Sequence, residues 1–335
     1  MDSTQKTPGT KKTKVLILFF CLIQVILIIA LINTIYTKNN TFGVSITPIH
    51  QEDIVINPDQ NFANFYEPKP NSITKFETTG FTGDFGQANI NSDSLNELTD
   101  YSPIKDDSTY RIITLGDSHT FGWFVNTKDN YPEQLEAKLN SLNCPNIKKF
   151  EVINLGMGGY DLEYAAHRYE IRGQKYNPDL VLWLLKNDDF EQIVDYIRVK
   201  GDENNKKIIQ EKRLDYYKSQ GILGDPGWYE ATQDLQNNLG MDNIVKYQEA
   251  KLYSLGSSFQ KKLVIFSYLH RSTKYEDLLT KFTQSRPDTY FFNNIPELKK
   301  PEEAFPDSHP TKEGYAKITD YLLTYLTDNS LLPCN

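Results

Sequence analysis

Polar and apolar positions divide the chain into stretches of different texture. Residues 15–36 begin with "VLILFFCLIQVILIIALI", an uncharged apolar run broken only by Gln24 and close to the roughly 20 residues a membrane-crossing helix requires. As a soluble helix it would have no polar face. Residues 37–108 are rich in Asn, Asp, Thr, Ser, Gly and Pro, with short apolar clusters such as "DIVI" and "FANFYEPKP" and no helical period. They read as a spacer with a few short strands. The aromatic side chains Phe62, Phe65 and Tyr66 suggest that part of this spacer packs on the main domain.

From Tyr110 the pattern alternates between strands and helices. "YRIITL" and "FEVINLG" are strands, and between them "NYPEQLEAKLNSL" carries Tyr131, Leu135, Leu139 and Leu142 at helical spacing, with Pro132 suited to a first turn. A further helix is expected between Asp161 and Gly173. "DLVLWLL" is continuously apolar, as a strand covered on both faces must be. "KLVIFSYL" and "DTYFFNN" supply two more strands. A closing helix from about Thr311 places Tyr315, Ile318, Leu322 and Tyr325 on one face. This order predicts a parallel α/β sheet with helices on both sides, within a domain over 109–335.

Charge then places the chain. Lys6, Lys11, Lys12 and Lys14 precede the apolar run and Lys38 stands nearly alone behind it, so residues 1–14 are expected in the cytoplasm, 15–36 in the membrane and the rest outside. A cleavable signal peptide is the rival reading, but the run is long for one and no A-x-A-like site comes after it. Cys21 lacks the small residue that a lipoprotein signal places before it. A formal net charge of -8 leaves no basic face for nucleic acid.

Ligands of parallel sheets bind at the carboxyl ends of the strands. Those ends carry "GDSH", "NLGMGGYD" and "LKNDD", and "FPDSHPT" precedes the last helix. A serine hydroxyl becomes a nucleophile when an imidazole takes its proton and a carboxylate holds that imidazole's tautomer. Ser118, His309 and Asp307 can fill these roles. The oxyanion of a tetrahedral intermediate needs preorganised donors, for which the backbone N–H groups of Ser118 and Gly159 and the amide of Asn187 are the candidates.

"GDSHTFG", "NLGMGGYD", "PDLVLWLLKNDD" and "DSHPTKEGY" resemble, in order, the first, second, third and fifth sequence blocks of the SGNH (GDSL-type) hydrolase superfamily, over about Tyr110 to Thr327. The resemblance implies a flavodoxin-like three-layer α/β/α fold with about five parallel strands and no obligatory metal or cofactor. It implies Ser118 as nucleophile, Gly159 and Asn187 as oxyanion donors, and Asp307 and His309 as the rest of the triad. The chain departs from the pattern in three places. His119 stands where many members have leucine, Lys186 replaces a glycine or small residue before Asn187, and the last motif is D-x-H instead of D-x-x-H.

Other residues have plainer readings. Asp117 and Asp188 are expected to hold loops, His270 to be an ordinary strand-end residue, and His50 and His167 to stand alone. A metal site from Asp307, His309, Asp188 and Asp189 matches no standard zinc spacing. Residues 190–240 form an insertion with Tyr216, Tyr217, Trp228 and Tyr229, either a lid over the active-site edge or helices packed on one another. In the implied fold the first and last helices of the domain cover one face. A Cys144–Cys334 bridge at the edge opposite the site is therefore expected, with two free thiols as the alternative. The reading is an extracytoplasmic serine esterase for acyl esters, acetyl first among them. O-acyl transfer to an envelope polysaccharide and a non-catalytic glycan-binding role are the alternatives. Glycan and lipid esters are both candidate substrates, and the oligomeric state is not legible.

Overall fold

The computed structural model describes residue 24 and residues 54–56, 65–78, 81–222, 225–256, 259–267 and 273–334. The cytoplasmic tail and membrane segment expected over 1–14 and 15–36, together with His50, Phe62 and His270, lie outside the described residues, apart from Gln24. Among the described residues, no helix is long and apolar enough to cross a membrane.

Four short strands come first: β1 (Ile54–Ile56), β2 (Tyr66–Pro68), β3 (Ser72–Lys75) and β4 (Gln87–Ile90). They pair antiparallel as β1 with β2 and β3 with β4. Next come β5 (Thr109–Leu115), α1 (Ser118–Phe121), α2 (Tyr131–Leu139), β6 (Lys149–Asn154), α3 (Leu162–Arg168) and β7 (Leu180–Leu185). The insertion holds α4 (Asp188–Glu191), α5 (Val194–Gln210), α6 (Leu214–Ser219) and α7 (Pro226–Leu239). The chain ends with α8 (Met241–Gly256), β8 (Lys262–Ser267), α9 (Thr273–Gln284), β9 (Thr289–Phe292) and α10 (Lys312–Asp328).

Strands β5 to β9 form one parallel sheet in the order β6-β5-β7-β8-β9, the doubly wound order of a flavodoxin-like sheet. Alternation along a strand sends successive side chains to opposite faces. In β7, Leu180, Leu182 and Leu184 join Tyr131 and Leu135 of α2 and Tyr315, Ile318 and Leu322 of α10 in one core. Val181, Trp183 and Leu185 join α3, α8 and α9 in the other. Both faces of β7 are buried, which is why its sequence reads as apolar throughout. The helix starts are capped as their residue types require: Asn130 accepts from the Glu133 N–H, Asp161 from Tyr164 and Thr311 from Gly314.

The segment read as a spacer is part of this body from Phe65 onward. Phe65, Tyr66, Phe76, Ala88, Ile90 and Leu95 lie in the second core beside Ile113 and Leu162. Glu67, fully buried, pairs with Arg172 at 2.7 Å. The Arg168 guanidinium donates to the carbonyls of Ser94 and Gly156, and its Nε lies 3.6 Å from the Glu67 carboxylate. Without these partners the Glu67 carboxylate would be strongly penalised by burial. Ile197, Ala231 and Leu235 of the insertion form a small core with Ile244 of α8. Cys144 and Cys334 form a disulfide with Cα atoms 4.4 Å apart, joining the C-terminal tail to the end of the α2 layer.

Candidate active site

Strand β5 ends at Leu115, and Gly116 turns the chain at φ +144°. A Cβ there would stand 2.3 Å from Thr120 Oγ1, so only glycine lets α1 begin at once. Asp117 caps α1, accepting from the His119 N–H at 2.8 Å. Ser118 is thereby delivered, half-buried, at the carboxyl end of the sheet.

His309 comes to it from the loop before α10. The Ser118 Oγ to His309 Nε2 distance is 2.7 Å, and His309 Nδ1 lies 2.8 Å from Asp307 Oδ2. An ionised carboxylate only accepts, so Nδ1 carries the proton and Nε2 receives the serine O–H. The two-residue spacing works because Ser308 is left-handed, at φ +77°. That turn folds Asp307 back so that one carboxylate oxygen takes the His309 backbone N–H at 3.1 Å and the other faces its ring. Burial works against the Asp307 carboxylate, but the hydrogen bonds and charge of His309 outweigh it and hold its pKa below the ordinary value.

The loop after β6 is tied by Asn154, whose side-chain oxygen accepts from the Gly156 N–H at 2.9 Å. Gly159 has φ +75°, and a Cβ there would stand 2.9 Å from the Tyr66 hydroxyl and 3.1 Å from the Trp228 ring. Gly159 and Ser118 both line the cleft, and their N–H groups donate to no acceptor among the described residues. Asn187 is half-buried between Lys186 and Asp188, which both line the cleft, and its amide oxygen is buried without a hydrogen-bond partner among the described residues.

Lys186 and His119, the two residues that depart from the motifs, meet at Asp117. Lys186 Nζ lies 2.7 Å from Asp117 Oδ2 and 3.1 Å from Asp188. Burial opposes this ammonium, and the surrounding carboxylates of Asp117, Asp188 and Asp189 outweigh it to raise its pKa. Burial likewise opposes the Asp117 carboxylate, and Lys186 and His119 together drive its pKa well below the usual range. The His119 ring stacks on that of His309, centroids 4.6 Å apart. Burial, helped by Lys186, pushes the His119 pKa down to about 4, so the stacked ring is neutral at pH 7.

A cleft of about 770 Å³ opens above Ser118. Its walls include Tyr66 and Phe76 from the arm (the packed segment ahead of β5), Trp123 beside α1, and Arg198, Trp228 and Tyr229 from the insertion. Tyr216 and Tyr217 stand away from it and line a neighbouring groove. The arm residues had no motif to mark them; the aromatic density of "FANFYEPKP" was their only trace. His167 packs edge-on against Phe65 as a core residue. Among the described residues, no group of three or more His, Cys, Asp and Glu side chains is arranged to hold a metal.

No family model matches the chain, and no curated protein matches it. Among solved structures, it is similar to the psychrotrophic esterase EstA from Pseudoalteromonas sp. at 14% identity, covering 68% of this chain and 100% of that one, with a TM-score of 0.43. It is also similar to a two-domain esterase active on acetylated mannans, at 13% identity over 66% of this chain and 49% of that one, TM-score 0.41. A third is the family 3 carbohydrate esterase of Clostridium thermocellum, at 14% identity over 68% and 100%, TM-score 0.36.

Proposed function

We propose that the chain is a serine esterase that cleaves acyl esters through an acyl-Ser118 intermediate. The observation that carries the reading is the unbroken line from Ser118 Oγ through His309 to Asp307, with links of 2.7 and 2.8 Å. Ser118 Oγ attacks the ester carbonyl while its proton passes to His309 Nε2. The resulting imidazolium is stabilised by the Asp307 carboxylate. The N–H groups of Ser118 and Gly159 receive the oxyanion, with the side-chain amide of Asn187 as the third donor. His309 then protonates the departing alkoxide, and water, activated by the same imidazole, releases the acid and regenerates Ser118. The neutral His119 ring lies against His309 without opposing its positive charge.

The motif resemblance supports the same reading, with a small acyl group such as acetyl as the expected cargo. The apolar segment and the lysine asymmetry support an anchor over 15–36, with the catalytic domain over 109–335 on the extracytoplasmic face. One observation favours a second acceptor. The aromatic walls Trp123 and Trp228 leave room for a sugar ring beside the nucleophile, and a glycan hydroxyl there would turn hydrolysis into O-acyl transfer. The test is p-nitrophenol release from acetyl and longer acyl esters by the full-length chain in detergent, beside Ser118→Ala and His309→Ala. Turnover lost in both variants supports the reading, and partition to an added acetyl-accepting glycan separates transfer from hydrolysis. A folded wild type without turnover would refute it.

A further inference from the structure

Tyr66 reaches the site from outside the motif-bearing sheet, on β2. Its hydroxyl donates to the Gly158 carbonyl at 2.5 Å. That carbonyl and the Gly159 N–H belong to one planar trans peptide unit, so they point in opposite directions, and anchoring one aims the other. The phenol is itself held: the Tyr66 carbonyl accepts from the Tyr160 hydroxyl, and the Tyr160 and Tyr164 rings meet its ring edge-on.

Arg198, on α5 of the insertion, lays its guanidinium carbon 3.6 Å from the centroid of the Tyr66 ring. Arg198 is only 7% exposed, and its Nε and Nη2 make no hydrogen bond among the described residues. A buried cation short of acceptors is costly; the nearby carboxylates of Asp202 and Asp225 offset part of that cost, and the ring face of Tyr66 is the surface the guanidinium lies on. A cation in that position draws electron density from the phenol and makes its O–H a stronger donor.

We propose that Tyr66, backed by Arg198, is a positioning residue for the reaction, orienting and polarising the Gly158–Gly159 peptide whose N–H receives the developing oxyanion. The inference rests on the serine-esterase reading. A hydrogen bond accepted at a peptide carbonyl strengthens the N–H on its far side, since linked hydrogen bonds polarise one another. Burial raises the Tyr66 pKa to about 12, with Arg198 opposing, so the phenol keeps its proton at neutral pH. The arm and the insertion, which carry none of the catalytic motifs, thereby meet behind one donor of the active site.

The test uses the full-length chain in detergent with p-nitrophenyl acetate. Tyr66→Phe keeps the ring and removes only the donor. It should lower kcat by about tenfold with KM changed less than about twofold. Arg198→Met should lower kcat by about threefold alone and by nothing further in the Tyr66→Phe background. A Tyr66→Phe chain that unfolds more easily but keeps wild-type kcat per folded molecule would overturn the proposal, as would independent, multiplying effects of the two substitutions. A second readout needs no turnover. In chains carrying nitrogen-labelled glycine, the Gly159 amide proton, identified by its loss in Gly159→Ala, should move upfield in Tyr66→Phe. An unmoved resonance overturns the proposal. A resonance that moves in Tyr66→Phe while the wild type turns over no ester supports the orienting role and counts against the esterase reading.

Discussion

Ser308 makes the D-x-H motif work, and replacing it isolates that contribution. Its left-handed backbone, φ +77°, is braced by two hydrogen bonds: the Ser308 N–H donates to the Phe305 carbonyl at 2.9 Å, and the Phe305 N–H to the His309 carbonyl at 2.8 Å. An L side chain in this region bears roughly 1–2 kcal/mol of strain, and a β-branched one, which is a genuine outlier there, is taken to bear about as much again. The Asp307–His309 contact that the turn secures is a charge-assisted hydrogen bond of about 2 kcal/mol, so the two effects are of similar size. Ser308→Val should therefore depopulate the aligned turn and lower kcat about five- to thirtyfold. Ser308→Gly, which adopts the conformation freely, should keep wild-type kcat. Asp307→Asn sets the floor, since losing the carboxylate that fixes the imidazole tautomer costs up to about ten-thousandfold in a serine hydrolase. The assay is p-nitrophenyl acetate turnover by the three variants, each checked for folding by circular dichroism. Wild-type kcat in Ser308→Val would refute the argument that this turn gives the two-residue motif its reach.

Three further outcomes are expected. The Cys144–Cys334 bridge closes a sequence separation of 190 residues, for which chain entropy gives about 5 kcal/mol as an upper figure; the double serine variant should lose roughly 2–4 kcal/mol in urea unfolding, and an unchanged midpoint would contradict this. His119 has its pKa lowered from 6.5 to about 4 in the folded protein, so the unfolded chain binds the extra proton first; stability is full above pH 6.5 and should fall by about 3 kcal/mol as the pH drops through 6.5 to 4, a loss that His119→Phe should abolish. Lys186→Met would leave the Asp117 carboxylate buried without its cation and should cost roughly 3 kcal/mol in urea unfolding, with Asp117→Asn in the same background recovering part of it.

Much of the sheet could be read directly from the chain because its strands are buried on both faces and bounded by glycine or polar turns. "DLVLWLL" is the plainest case. Ser118, Gly159, His309 and Asp307 were legible because they sit just past strands or just before a helix, where a parallel sheet exposes chemistry. The arm was not legible. Its strands are three or four residues long, too short for a period, and Glu67 looks like a solvent residue until Arg168 and Arg172 are brought to it from far along the chain. Arg198 was hidden for a related reason. Nothing local marks an arginine whose partner is the ring of Tyr66. Lys186 and His119 looked like separate departures from a motif, and only folding shows that both answer to Asp117.

The proposed function requires Ser118 to be a nucleophile activated by His309. Incubating the full-length chain with a p-nitrophenyl alkylphosphonate and weighing the product tests this. One covalent phosphonyl group is expected on the peptide bearing Ser118, formed with release of p-nitrophenol, absent from Ser118→Ala and formed far more slowly in His309→Ala. A folded wild type that gains no adduct, or an adduct that persists in Ser118→Ala, would contradict it.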